Sequence, residues 1–380
     1  MGPLAGIRVV ELAGIGPGPM CAMLLADLGA TVLRIDRKRP SGLGIERPPR
    51  TDVLLRNRKV IALDLKNPQA VEATLQLVSR ADALIEGFRP GVTERLGLGP
   101  EVCIGRNPRL VYGRMTGWGQ SGPLAQTAGH DLGYIAVTGV LNAIGRRGAP
   151  PTLPLNLIGD YAGGALYLAL GLLAGILEAR GSGRGQVIDA AIVDGAASLA
   201  STFFGMRAAG IWRDERGTNF TDSGSHFYEV YQCADGKWLS VAAIEAKFYA
   251  ELLRLLEIDP AALGRQMDPA AWPRSKEILA AMFKQRSRDE WVRVFDGSDA
   301  CVAPVLDWDE AAEHPHLRER ETLIEIDGIV QPAPAPRFSR TVPATPVPPA
   351  PLTPENTQAG LEPWCGAEEI MAWRSAGLID

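Results

Sequence analysis

The stretch IRVVELAGIGPGPMCAMLLADLGATVLRID, residues 7–36, decides the fold class. It opens on an apolar run rich in β-branched residues, Ile7 to Leu12, which predicts a strand. A glycine–proline loop from Gly14 to Pro19 interrupts it. A helix through about Leu28 and a second strand, Thr31 to Ile35, complete the unit. Alternation of this kind predicts an α/β chain, with a Rossmann-like parallel sheet carrying helices on its faces.

The pattern extends outward. Strands are expected at Val60–Leu63, Ala83–Glu86, Leu110–Arg114 and Gln186–Val193, with helices at Pro68–Ser79 and Gly195–Gly210. Residues 161–177 hold no charge, and a helix buried in the protein is the reading preferred over a membrane span. Residues 1–210 thus read as one large domain, and 211–225, polar and without period, as a linker.

From His226 the texture changes. Phe227–Gln232 and Trp238–Ala243 read as two strands joined at Asp235-Gly236, a hairpin signal. A helix follows over Ala246–Leu256, and Ser287 with Glu290 forms a capping-box pattern at the start of another. Residues 226–320 therefore read as a smaller α+β domain. Nine prolines between Pro332 and Pro354 exclude helix and central strand there. Residues 321–380 read as a proline-rich strap ending in a helix over Ala367–Ala376 that returns to the large domain.

The glycine loop imitates a dinucleotide fingerprint, with Asp36 about twenty residues beyond it. The imitation fails in detail. With Gly16 and Gly18 as the first pair, Cys21 stands where the third small residue belongs. Pro17 and Pro19 also remove two backbone N–H donors from the loop that would hold a pyrophosphate.

Composition narrows the function classes. The 380 residues are 46% hydrophobic and 22% charged, with a net charge of −5, which argues against a general nucleic-acid binder. Yet Arg34 to Lys66 carries ten Lys or Arg against four acids. Such a local excess suits either a solvated surface or a small bound polyanion such as a nucleotide phosphate group. Five scattered cysteines without a C-x-x-C pair point to a reduced, cytoplasmic protein. The N-terminus lacks the pattern of a secretory signal. His314 and His316 have metal-pair spacing but no acidic or cysteine partner in register, so no metal site is expected.

Several motifs carry a family resemblance. VELAGIGPGPMCAMLLADLGATVLRID at 10–36, GFRPGVTERLGLG at 87–99, GRMTGWGQSGP at 113–123 and GRGQVIDAAIVDG at 183–195 resemble the class III coenzyme A transferase family. The tail, from LTPENT through AEEIMAWRSAGLID, looks like its C-terminal signature. The chain is more similar to the racemase branch, the α-methylacyl-CoA racemases. AGHDLGY at 128–134 places His130 before the aspartate, where transferases usually have an aromatic residue. VAAIEAKFY at 241–249 supplies Glu245, where transferases tend toward a G-N-D type stretch.

The resemblance implies an enzyme that interconverts (R)- and (S)-2-methylacyl-CoA thioesters. His130 and Asp160 are the implied acid–base pair, and Glu245 the residue that orients His130. Histidine titrates near physiological pH. A carboxyl partly removed from water can donate a proton there. Asp160 directly precedes the apolar stretch, so it also reads as an ordinary helix N-cap.

Family matches place coenzyme A contacts at Arg37, Leu63, Asp64, Leu65, Lys66, Gly87, Phe88, Arg89 and Arg95. Gly129, Asp131 and Tyr134 lie by the pantetheine and thioester end. Arg56, Arg58 and Lys59 are weaker candidates. Phe203, Phe204 and Met206 could line an acyl surface, although an apolar stripe is more often core. The resemblance implies an interlocked homodimer, with no cofactor beyond the coenzyme A of the substrate, and no nucleic-acid or membrane partner. The alternative within the family is a coenzyme A transferase with Asp160 as nucleophile. A non-catalytic acyl-CoA binding protein is the reading outside enzymes.

Overall fold

A computed structural model describes residues 2–39, 42, 44–45 and 47–380. These residues divide into two compact units. The larger comprises residues 1–138, 155–199 and 319–380, and the smaller residues 139–154 and 200–318.

The larger unit is built on six parallel strands: β1 Arg8–Leu12, β2 Thr31–Asp36, β3 Lys59–Ala62, β4 Ala83–Glu86, β5 Val111–Thr116 and β6 Val187–Ala191. Their spatial order is β3-β2-β1-β4-β5-β6, with every pairing parallel. The α/β expectation holds. Successive side chains alternate between two cores, as a sheet covered on both faces requires. Val10, Leu33, Ile61 and Leu84 enter one core with helix Pro68–Val78. Val9, Val32, Ala83 and Ile85 enter the other with helix Pro17–Asp27 and the helix reaching Ser182.

That last helix runs for 26 residues from Leu157 and is apolar and long enough to cross a membrane. Half of its most apolar window is buried in the protein. Glycines on both partners let it lie close on the sheet. A Cβ on Gly113 of β5 would stand 2.9 Å from both Leu168 and Leu172, and one on Gly175 would stand 2.8 Å from Val111. Its first ten residues, Leu157–Leu166, form a π-helix. The wider turn is packed through glycine: a Cβ on Gly195 would fall 1.8 Å from the Gly163 carbonyl oxygen.

Residues 192–208 form two helices, Ile192–Leu199 and Ser201–Ala208, not the continuation of a strand through Val193. The division at 211–225 also differs from the observed one. This stretch belongs to the smaller unit and is tied down locally. Asp222 accepts from the backbone N–H groups of Gly217, Asn219 and Gly224 at 2.8–3.1 Å. Asn219 bonds the Arg213 backbone in both directions. Its polar side chains make an ordered loop, not a linker.

The smaller unit has a three-stranded antiparallel sheet, β7 Tyr228–Gln232, β8 Trp238–Ala242 and β9 Val302–Val305, over an aromatic core with Phe227, Phe283 and Trp291. The capping box at Ser287 is present.

The strap begins with a hairpin, β10 Leu323–Ile326 and β11 Ile329–Pro332. Its turn, Asp327-Gly328, has both φ angles positive, 52° and 74°. That is the type I′ demand, and Asp-Gly is its sequence signal. Two helices, Pro354–Leu361 and Ala367–Ser375, then place Leu361, Trp364 and Trp373 in the core beneath β1–β3.

Candidate active site

In a doubly wound sheet, ligands bind outside the carboxyl ends of the strands, where the strand order reverses. Here the reversal lies between β1 and β4. The residues matched to coenzyme A contacts emerge at these ends. Arg37 follows β2, Leu63 to Lys66 follow β3, and Gly87 to Arg89 follow β4. Arg95 ends the short helix Val92–Arg95, with its guanidinium 3.2 Å from where a Cβ on Gly91 would stand.

The structure brings Arg37 and Phe88 together, the guanidinium lying 5.9 Å from the ring centroid. Asp64, Lys66, Arg89 and Arg95 are exposed. Leu65 is half-buried, and its neighbour Leu63 is core, 1% exposed, so it offers only backbone.

Buried charge fixes the β4 loop. Glu86 accepts from the Phe88 backbone N–H at 2.7 Å and from Arg114 Nε at 2.9 Å. Arg114 also reaches Glu94 at 2.8 Å. Sequence reading missed this support, although a glutamate closing the apolar run Ala83–Glu86 was its signal.

The basic excess between Arg34 and Lys66 divides in two. Arg34 and Arg58 clasp the buried Glu11 at 2.6 and 2.5 Å, and Arg56 pairs with the buried Asp27 at 2.6 Å. Arg56 and Arg58 are therefore structural, neither a solvated patch nor ligand contacts. They face carboxylates far away in sequence. Arg37 and Lys66 remain exposed beside the strand ends, as does Lys59 at the start of β3.

Asp160 lies over the loop that follows β1. Its Oδ2 is 3.2 Å from where a Cβ on Gly16 would stand, so a side chain there would crowd it. It is not an N-cap. The helix starts at Leu157, and Asp160 falls in its first π turn. Asn156 Nδ2 donates to its Oδ2 at 3.3 Å, and its own backbone N–H donates to Asp131 Oδ2 at 2.6 Å. Burial raises the Asp160 pKa. The Asn156 hydrogen bond opposes this, the Asp131 charge adds to it, and the charge of His130 opposes it.

His130 is exposed and precedes the helix Asp131–Val137. His130, Asp131 and Asp160 thus form one electrostatic cluster. Tyr134 borders it. Its ring packs edge-on to Trp118 at 4.8 Å, and Cβ atoms on Gly117 or Gly129 would overlap it. Burial raises the Tyr134 pKa, with Asp160 adding to the rise and Arg89 opposing it. Tyr134 therefore stands within electrostatic reach of both Arg89, beyond β4, and Asp160.

Glu245 lies in the smaller unit. It is exposed, directly before helix Ala246–Leu255, and caps none of that helix's N–H groups. Phe203 and Phe204 are exposed on Ser201–Ala208, and Met206 is half-buried. Among the described residues no cluster of three or more His, Cys, Asp or Glu could hold a metal.

The family model for CoA-transferase family III matches residues 4–358. An α-methylacyl-CoA racemase from Mus musculus is 46% identical over 345 residues, 90% of this chain and 88% of that protein. The protein of the same name from Homo sapiens is 42% identical over 379 residues, 99% and 97% of the two chains. A succinyl-CoA–L-malate CoA-transferase β subunit from Chloroflexus aurantiacus is 30% identical over 366 residues, 89% and 88%. Among solved structures, a CAIB/BAIF family protein from Brucella suis superposes with a TM-score of 0.80 over 96% of this chain and all of its own, at 24% identity. That likeness speaks for the fold. With a family model that spans residues 4–358 and racemases that align with 90% and 99% of it, this chain belongs to CoA-transferase family III.

Proposed function

We propose that this protein racemises 2-methylacyl-CoA thioesters through an enolate. The observation that carries the proposal is the half-buried Asp160 carboxyl, its pKa raised by burial, set in one cluster with His130 at the switch point of the sheet. Similarity to α-methylacyl-CoA racemases over 90% or more of this chain supports it.

One group takes the proton from the carbon beside the thioester carbonyl, and the other returns a proton to the opposite face. For the other hand of the substrate the roles exchange. Arg37, Phe88, Arg89 and Arg95 hold the nucleotide end, and Gly129 and Tyr134 the pantetheine end. Glu245 is retained as the residue that orients His130. A homodimer belongs to the same proposal. Leu166, Leu170 and Leu177 share a helix face and are 50%, 65% and 74% exposed, a stripe that suits burial against a second copy. A cytoplasmic setting suits five free thiols, four of them buried.

The test is exchange in heavy water. Either hand of 2-methylacyl-CoA is expected to acquire deuterium at the α-carbon while keeping its acyl group. Transfer of coenzyme A from the substrate to a free acid acceptor, with the original acyl group released as its acid and a hydroxylamine-trappable Asp160–coenzyme A thioester on the way, would instead establish transferase chemistry. The 30% identical transferase subunit keeps that second reading in view.

A further inference from the structure

The Asp131 carboxylate is 7% exposed, and its contacts with its surroundings are not those of a surface acid. Oδ2 accepts the Asp160 backbone N–H at 2.6 Å, while Oδ1 is buried without a hydrogen-bond partner. The space for it exists because residue 159 is glycine. A Cβ there would stand 2.3 Å from Asp131 Oδ2. Among the described residues no cation pairs with it, and a second carboxyl stands beside it. Burying an unpaired charge is costly, and such groups concentrate where chemistry needs them.

We propose that Asp131 is a positioning residue for Asp160: its carboxylate anchors the π-helical turn that carries Asp160 and governs how readily that carboxyl holds a proton. The inference rests on the racemase reading of the site. The groups acting on Asp160 are Asp131, His130, Asn156 and the neighbouring Tyr134. Asp131 is the one among them whose negative charge favours a protonated Asp160, adding to the effect of burial.

The pair is competent when it holds one proton, so kcat/KM is expected to be bell-shaped in pH. A carboxyl is the stronger acid of such a pair, and the acid limb follows Asp160. Asp131→Asn keeps an oxygen to accept the Asp160 N–H but removes the charge. It should move the acid limb to lower pH and leave the melting temperature close to that of the wild type. Asp131→Ala removes the anchor as well and should lower kcat by about tenfold or more with little change in KM.

A second measurement does not depend on turnover. In protein labelled with 13C at aspartate carboxyls, the Asp160 resonance, assigned with Asp160→Asn, should titrate at lower pH in Asp131→Asn than in wild type. An unchanged or higher midpoint overturns the proposal, whatever the activity. Wild-type protein that exchanges no α-deuterium, with the midpoint shifted as expected, defeats the racemase reading and leaves the Asp131–Asp160 coupling standing.

Discussion

Two of the regions of the larger unit that bury acids treat them differently. Around β1, Glu11 and Asp27 are each met by arginine: Glu11 by Arg34 and Arg58, Asp27 by Arg56. At the switch point, Asp131 and Asp160 meet an amide N–H, an asparagine, a histidine and each other and, among the described residues, form no ion pair to arginine or lysine. Burial pushes the Glu11 pKa up, but Arg58 and Arg34 outweigh it and the net shift is downward. For Asp160 the net shift is upward. An ion pair alone does not set the sign: Glu86 keeps a pKa raised to about 7 by burial although Arg114 stands 2.9 Å away. At Glu11 two arginines outweigh burial, and at Asp160 burial prevails.

The contrast can be broken most directly at the uncompensated pair. Asp160→Asn or His130→Ala is expected to slow α-deuterium incorporation by about 10²–10⁴-fold, with thermal stability nearly unchanged. A large fall in melting temperature without a comparable loss of exchange would reverse the two regions' roles. On the compensated side, Arg58→Met leaves Glu11 with one cation, Arg34, and denaturant titration should show a loss of about 1–3 kcal/mol.

The pH dependence follows the same sign. Because the Glu11 pKa is lowered, the stability it contributes is present above its ordinary value of 4.5 and is lost as pH falls through the folded value. Melting curves from neutral to acid pH test this, and the Arg58→Met curve should be flatter there. The smallest effect is expected at the exposed cation Arg37. Arg37→Ala should raise KM for acyl-CoA by about tenfold, a loss of about 1.4 kcal/mol, with kcat retained.

The sheet was legible because its signal is local. Ile7–Leu12 and Thr31–Ile35 alternate between two cores within a few residues, and β-branched runs mark them. The candidate acid–base residues were legible by resemblance, through AGHDLGY and VAAIEAKFY. The π-helix was not. Its i→i+5 bonding, as from Tyr161 N–H to the Asn156 carbonyl, has no sequence periodicity of its own, and Asp160 read as an N-cap. The arginine clasps were equally hidden. Arg58 and Glu11 are 47 residues apart, so charge counting within 34–66 could not see that part of the basic excess is met by acids outside the stretch. The hairpin at Asp327-Gly328 carried its signal openly, yet the prolines around it drew the reading toward an extended strap.

The tail has a consequence for the order of folding. Leu361, Trp364, Ile370 and Trp373 share a core with Val10, Leu33 and Ile61, strand residues more than 290 positions earlier. During synthesis that face of the sheet, covered in part by helix Pro68–Val78, lacks the rest of its apolar cover until the last helices leave the ribosome. Chains stopped before Pro354 should therefore be sticky and dependent on chaperones, even with the whole candidate site already made.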